Sequence, residues 1–243
     1  MSKILLVVEG EKVEKELFEH FYKLYQLNNV QIVAYKTNIY HFYNRLKKDF
    51  SNASGEIEYE FIDLPLFLND YLNLEEEQKL NTYDFKDKTL IFDFDPHDPQ
   101  SSEAKIMELI ENFSNSTDLG KLYINYPMIE SYKDIENFNV DAFVERTIHI
   151  DDLQRVGRLS GYKKIVDKRT CIKRIPDIDE NVANQLLQLN RRKFEVMVNE
   201  PYVEAENHDK LCEIQCQKLA LTREIAVINT SILHLYDEYG EIK

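Results

Sequence analysis

Residues 3–10 read KILLVVEG and residues 89–95 read TLIFDFD. Each is an apolar run of strand length that ends in acid, and the elements between and around them decide the fold. After Gly10, the positions Val13, Leu17, Phe21, Leu24 and Tyr25 recur at three- and four-residue steps, which predicts a helix within Glu11 to Leu27. Asn28 and Asn29 close it, and Val30 to Tyr35 reads as a second strand. Ile39 to Phe50 is helical and ends in the loop Ser51 to Gly55. Glu58 to Leu64 alternates like a strand, and Leu66 to Leu80 reads as an acidic helix. Thr89 to Asp93 is a buried-type strand, Ser101 to Phe113 a helix with Ser102 at its N-cap, and Lys121 to Asn125 the last strand. Strands separated by helices need crossover connections, so the class is α/β, with a mainly parallel sheet flanked by helices.

After Glu130 the pattern changes to helix without strand. Val182 to Val198 and Glu204 to Tyr236 are the long stretches, with a break allowed in the second. The expected organisation is a sheet-bearing domain over 1–135. A mostly helical region over 136–243 follows it and binds substrate or a partner.

Composition excludes several classes. With 43% hydrophobic and 12% aromatic residues the chain is no disordered polyanion, and its longest clean apolar run, Ile4 to Val8, spans no membrane. The N-terminus lacks the basic and apolar regions of a secretory signal. Three cysteines make no disulfide framework and suit a reducing cytoplasm. A net charge of −14 argues at first against nucleic acid. That charge is unevenly spread, however. Residues 1–150 hold 28 acidic and 15 basic side chains, whereas 151–195 hold 11 basic and 7 acidic. Arg155, Arg158, Lys163, Lys164, Lys168, Arg169, Lys173 and Arg174 crowd together, followed by Arg191, Arg192 and Lys193. Such a strip reads either as a solvated face or as a phosphate contact, with Lys163, Lys164, Lys168 and Arg169 at its centre.

Sites in parallel sheets form at the carboxyl ends of strands. Glu9 follows the first strand there. Asp93 and Asp95, two residues apart in extended chain, face one side of another. Convergent carboxylates repel one another unless a cation sits among them, and all-oxygen donors select Mg²⁺ or Mn²⁺. Asp98 reads better as a loop or cap acid, and His97 as a neighbour of the site. His208, Cys212 and Cys216 recur at four-residue steps on a probable helix, and they read as packing rather than as metal ligands. His20 and His41 read as structural.

A strand ending in Glu9-Gly10 and a later one ending in Asp93-Phe94-Asp95 resemble the Toprim domain of topoisomerases, primases and OLD-family nucleases, over roughly residues 3–132. VVEGEKVEKELF (Val7 to Phe18) and NYPMIESY (Asn125 to Tyr132) are similar to stretches of the small RloB-like and PARIS-type Toprim nucleases of bacterial anti-phage systems. Val13, Tyr126 and Tyr132 depart from the residues common there, which are Thr, Asn and Trp. The resemblance implies a metal-dependent endonuclease acting on DNA or RNA. Asp93 and Asp95 would hold Mg²⁺ or Mn²⁺, Glu9 would serve as ligand or general base, and Glu130 would complete the site. Lys12 would steady the phosphate. It also implies control from elsewhere, through a partner ATPase or a second copy of the chain. Two alternatives stand beside it. One is a non-catalytic regulator or sensor of the same fold. The other is a HAD-type phosphatase with Asp93 as nucleophile and Asp95 as acid.

Overall fold

The strand expected over Lys3 to Val8 forms with those bounds (β1) in the computed structural model, which describes residues 3–156, 159–203 and 206–242. Arg158 of the basic strip lies outside the described residues. β1 is flanked by β2 (Val30–Ala34) and β3 (Phe85–Asp93), and β3 pairs in turn with β5 (Gly120–Asn125), all parallel. A two-residue antiparallel strand, β4 (Ser114–Asn115), completes the order β2-β1-β3-β5-β4. The protein is therefore α/β with a mostly parallel five-stranded sheet.

Strand periodicity sorts the side chains of β1 into two cores. Leu5 and Val7 join Leu90 and Phe92 against α2 (Ile39–Phe50), α3 (Leu64–Leu72) and α4 (Glu103–Asn112). Leu6 and Val8 join Ile91 and Tyr123 on the other face, against α1 (Val13–Leu24) and the C-terminal helices α7 (Glu180–Val198) and α9 (Leu233–Tyr239). Both cores draw on residues from either side of position 135, so the sheet is covered on one face largely by the second half of the chain.

Three expectations fail locally. The acidic helix expected over Leu66 to Leu80 stops at Leu72, where Asn73 takes the left-handed conformation, and only a 3-10 turn over Glu76–Gln78 follows. No strand forms over Glu58 to Leu64. Tyr59–Phe61 is a 3-10 turn, and Asp63 caps α3 by accepting from the Leu66 N–H at 3.0 Å, with Pro65 in the first turn. A cap followed by proline starts a helix more decisively than four alternating residues start a strand. The expectation of helix without strand after Glu130 also fails. β6 (Thr147–His149) pairs with β9 (Glu224–Ala226), and β7 (Arg155–Val156) with β8 (Leu159–Ser160). β9 breaks the long helical stretch into α8 (His208–Thr222) and α9. The remaining helices are α5 (Val140–Val144) and α6 (Gly161–Arg169).

The segment after β9 runs beside the segment after β5. Tyr126 and Ile228 exchange both backbone hydrogen bonds at 2.9 Å. Thr230 donates to the Ile124 carbonyl at 2.7 Å, and Asn229 donates to the Ile129 carbonyl and the Ser131 hydroxyl, each at 3.0 Å. These residues are fully buried, so every polar group needs such a partner. The clasp fixes the chain that carries Glu130. Among the described residues no helix is long and apolar enough to cross a membrane.

Candidate functional site

β1 leads through α1 to β2 on one side, whereas β3 leads through α4 to β5 on the other. The carboxyl ends of β1 and β3 thus flank the point where the winding reverses, the usual place for a site in such sheets. Glu9 leaves β1 there and Asp93 ends β3. The Asp93 N–H donates to Glu9 Oε2 at 3.2 Å, which joins the two strand ends directly. Glu9, Asp93 and Asp95 line one cleft of about 600 Å³ with Pro127, Met128 and Gln154. The three acids that the sequence singles out are brought together.

Asn125, at the end of the neighbouring strand, donates to Asp93 Oδ1 at 3.3 Å and accepts from the Ser231 N–H at 3.2 Å. The C-terminal clasp therefore reaches Asp93 through one amide. Burial pushes the Glu9 carboxyl up to about 8, and the charges of Glu14 and Asp95 add to it against the opposing Asp93 N–H. Asp93 is raised well above the usual range, first by burial and then by Glu9, Glu14 and Glu130. These groups form one mutually repelling set.

Glu14 belongs to that set although the sequence reading passed over it. It is buried, and its carboxylate accepts from the Gly10 N–H at 3.0 Å. Burial raises its pKa, and Glu130 raises it further. A Cβ on Gly10 would stand 2.5 Å from Glu14 Oε1, so any larger residue there would make that carboxylate swing aside. The available signal was position: Glu14 precedes Leu17 and Phe18 by three and four residues, on the helix face that turns inward.

Glu130 is 3% exposed, in the 3-10 turn Ile129–Lys133. Its Oε1 accepts from Lys163 Nζ at 2.7 Å, whereas its Oε2 is buried without a hydrogen-bond partner. Lys163 belongs to α6, which is fastened to the same turn by further ties. Arg169 forms a bidentate pair with the fully buried Asp134, Tyr162 donates to Asp134 at 2.9 Å, and Lys133 pairs with Asp167 at 2.7 Å. Two members of the expected strip, Lys163 and Arg169, are thus bound to acids of the first half. Lys164 is half-buried, and Lys168 is exposed on the same helix. Lys193 is fully buried and donates to the carbonyls of Phe143 and Arg146 at 3.0 and 2.5 Å, so it is no surface contact. Lys12 is exposed at the start of α1.

The neighbouring candidates are structural. Asp98 accepts from Asn38 at 2.6 Å and from the Gln100 N–H at 2.7 Å. His97 Nε2 lies 2.9 Å from the Ile150 carbonyl, and His20 Nε2 lies 2.6 Å from that of Ile178. His208 packs its ring on Tyr123 and Phe194, and Cys212 is buried in the core.

The carboxylates of Glu9, Asp93 and Asp95 in the cleft are oxygen donors that match a hard divalent cation, and Glu130, which does not line that cleft, keeps Oε2 buried without a partner. Among the described residues, however, no group of three or more His, Cys, Asp or Glu side chains is arranged to hold a metal ion as they stand. Glu9 is turned to a backbone amide and Glu130 to Lys163. No family model, curated protein or solved structure matches this chain.

Proposed function

We propose that this protein is a metal-dependent nuclease of the Toprim type, cleaving phosphodiester bonds of DNA or RNA. The observation that carries the reading is the joining of Glu9 and Asp93 at the two strand ends where the sheet reverses its winding, with Asp95 in the same cleft. Carboxylates forced together at such a place store repulsion that a divalent cation relieves. Asp93, Asp95 and Glu9 would hold Mg²⁺ or Mn²⁺, with Glu130 at a second position. When bound, such an ion polarises a phosphoryl oxygen and lowers the pKa of water.

The chain's own groups have distinct tasks. Asn125 orients the Asp93 carboxylate from one side. Glu9 would serve as a ligand or, where it holds no cation, as general base or acid, since burial raises its carboxyl to about 8 in the metal-free site. Lys163 supplies positive charge beside Glu130, and Lys12, Lys164 and Lys168 are the phosphate contacts proposed; Arg169, bound bidentately to the buried Asp134, is excluded from that role. Defence against phage, a partner ATPase and a second copy belong to this reading through the resemblance alone.

The test is cleavage of supercoiled plasmid and of structured RNA with Mg²⁺ or Mn²⁺, against EDTA. Glu9→Gln and the Asp93→Asn/Asp95→Asn double variant should lose cutting with their circular dichroism unchanged. Cutting at the normal rate by these variants would overturn the assignment.

A non-catalytic regulator of the same fold is favoured by one observation, the carriage of Glu130 by Lys163 where a ligand would be needed. Titration with Mn²⁺ decides: absence of binding supports the regulator. The phosphatase alternative, with Asp93 as nucleophile and Asp95 as acid, uses the same cleft, and hydrolysis of a small phosphomonoester in place of polymer cleavage would favour it.

A further inference from the structure

Three large apolar side chains on neighbouring segments stand in solvent. Phe61 is 67% exposed, Leu66 54% and Tyr83 95%. They come from three segments, and Asp63 ties those segments together. Its carboxylate accepts from the Leu66 N–H at 3.0 Å and from the Thr82 hydroxyl at 2.8 and 2.6 Å, two residues after Phe61 and one before Tyr83. Asn69 clamps the same strap, donating to the Leu80 carbonyl at 2.8 Å and accepting its N–H at 2.7 Å. Asn81 accepts from the Tyr83 N–H at 3.1 Å. Tyr83 is therefore held out by a fixed backbone. A preorganised aromatic display lowers the ordering cost of binding and is typical of interface anchors.

The surroundings are strongly acidic. Residues 56–84 carry nine acidic side chains and one basic one, Lys79, which pairs with Glu76. Beside Phe61 a groove of about 260 Å³ is lined by Glu60, Asp63 and Asp118 together with the buried Lys88, and Lys3 pairs with Asp84 at 3.5 Å, which leaves the acids in excess. We propose that this face docks a basic segment of a partner protein, with apolar side chains seated on Phe61, Leu66 and Tyr83 and with Lys or Arg meeting the acidic rim. Charge complementarity selects that occupant, since like charge repels nucleic acid and acidic proteins alike. The position leaves the proposed site open. Tyr83 lies just before the start of β3 and Asp93 at its end, roughly 25 Å apart by strand rise. The surface stands independently of the nuclease reading.

The experiment is fluorescence anisotropy with the full chain and a short labelled peptide of alternating Lys and Leu. Control peptides carry Glu in place of Lys, or Ser in place of Leu. The expected result is binding of the Lys-Leu peptide that weakens with salt. It should fall about tenfold or more in Phe61→Ser/Tyr83→Ser. Glu60→Lys/Asp84→Lys should shift preference toward the Glu-Leu peptide. Equal binding by wild type and Phe61→Ser/Tyr83→Ser overturns the proposal, as does preference of the wild type for the Glu-Leu peptide. Sedimentation adds a further outcome: self-association lost in the double variant would give the face to a second copy and overturn the basic partner. Exposed positions are replaced throughout, and unchanged circular dichroism confirms the fold of each variant.

Discussion

Lys163 Nζ stands 2.7 Å from Glu130 Oε1, so a helix of the second half of the chain supplies an ammonium to an acid at the edge of the sheet. Glu130 also presses on Asp93 and Glu14 through its charge, and Lys163 opposes it at Glu14. Lys163 is thus the counter-charge of a largely acidic set. Its replacement tests how much repulsion that set contains.

Lys163→Met leaves Glu130 buried without its ammonium. Breaking a buried pair costs several kcal/mol, and the partial exposure of Lys163 reduces the effect to about 2 kcal/mol. Denaturant unfolding should show that loss. On the metal-site reading, added Mg²⁺ should raise Tm more in the variant than in the wild type. An equal or smaller rise would separate Lys163 from the metal position.

Stability should fall with rising pH in the absence of divalent cations. The Glu9 carboxyl moves from its usual 4.5 to about 8 on folding. Between those values the folded protein holds a proton that the unfolded chain releases, so the stabilisation is complete below about 4.5 and is lost as pH rises through about 8. Asp93 shifts in the same direction and steepens the decline. Melts from acid to mildly alkaline pH with EDTA should show it, and Glu9→Gln should flatten the profile.

Gly10→Ala places a methyl against the Glu14 carboxylate, at 2.5 Å from Oε1 in the present geometry. The carboxylate must swing away from its backbone donor, at a cost of about 1–2 kcal/mol. Glu14→Ala in the same chain removes the obstacle. A double-mutant cycle by urea unfolding should therefore give a coupling well away from zero. Simple additivity would place the strain elsewhere.

Asn229→Ala strips partners from the Ile129 carbonyl, the Ser131 and Ser231 hydroxyls and the Ile232 N–H, all buried. The expected destabilisation is about 3 kcal/mol, because unsatisfied buried groups retain their full desolvation cost. Hydrogen exchange should quicken at residues 126–131 before the rest of the sheet. Uniform loss of protection would show that the clasp serves the whole fold and not the Glu130 turn in particular.

The four parallel strands and their acidic edge are legible in the amino-acid sequence, whereas β4 and the pairs β6–β9 and β7–β8 are not. β1 has the predicted bounds, and the acids Glu9, Asp93 and Asp95 meet in one cleft. Apolar runs and helical stripes are local signals, and strand direction carries the acids to the same edge without any detail of packing. What surrounds those acids depends on contacts between distant parts of the chain. Glu14 turns inward, Lys163 and Arg169 leave the expected open strip for acidic partners, and Lys193 is buried on two carbonyls. The clasp of Asn229 and Thr230 on the chain from Ile124 to Ser131 joins residues about a hundred positions apart. A charged or polar residue reads the same in sequence whether it faces water or a buried partner. Only the long-range pairing of desolvated groups separates the two, and that pairing exists only once the second half of the chain has folded over the sheet.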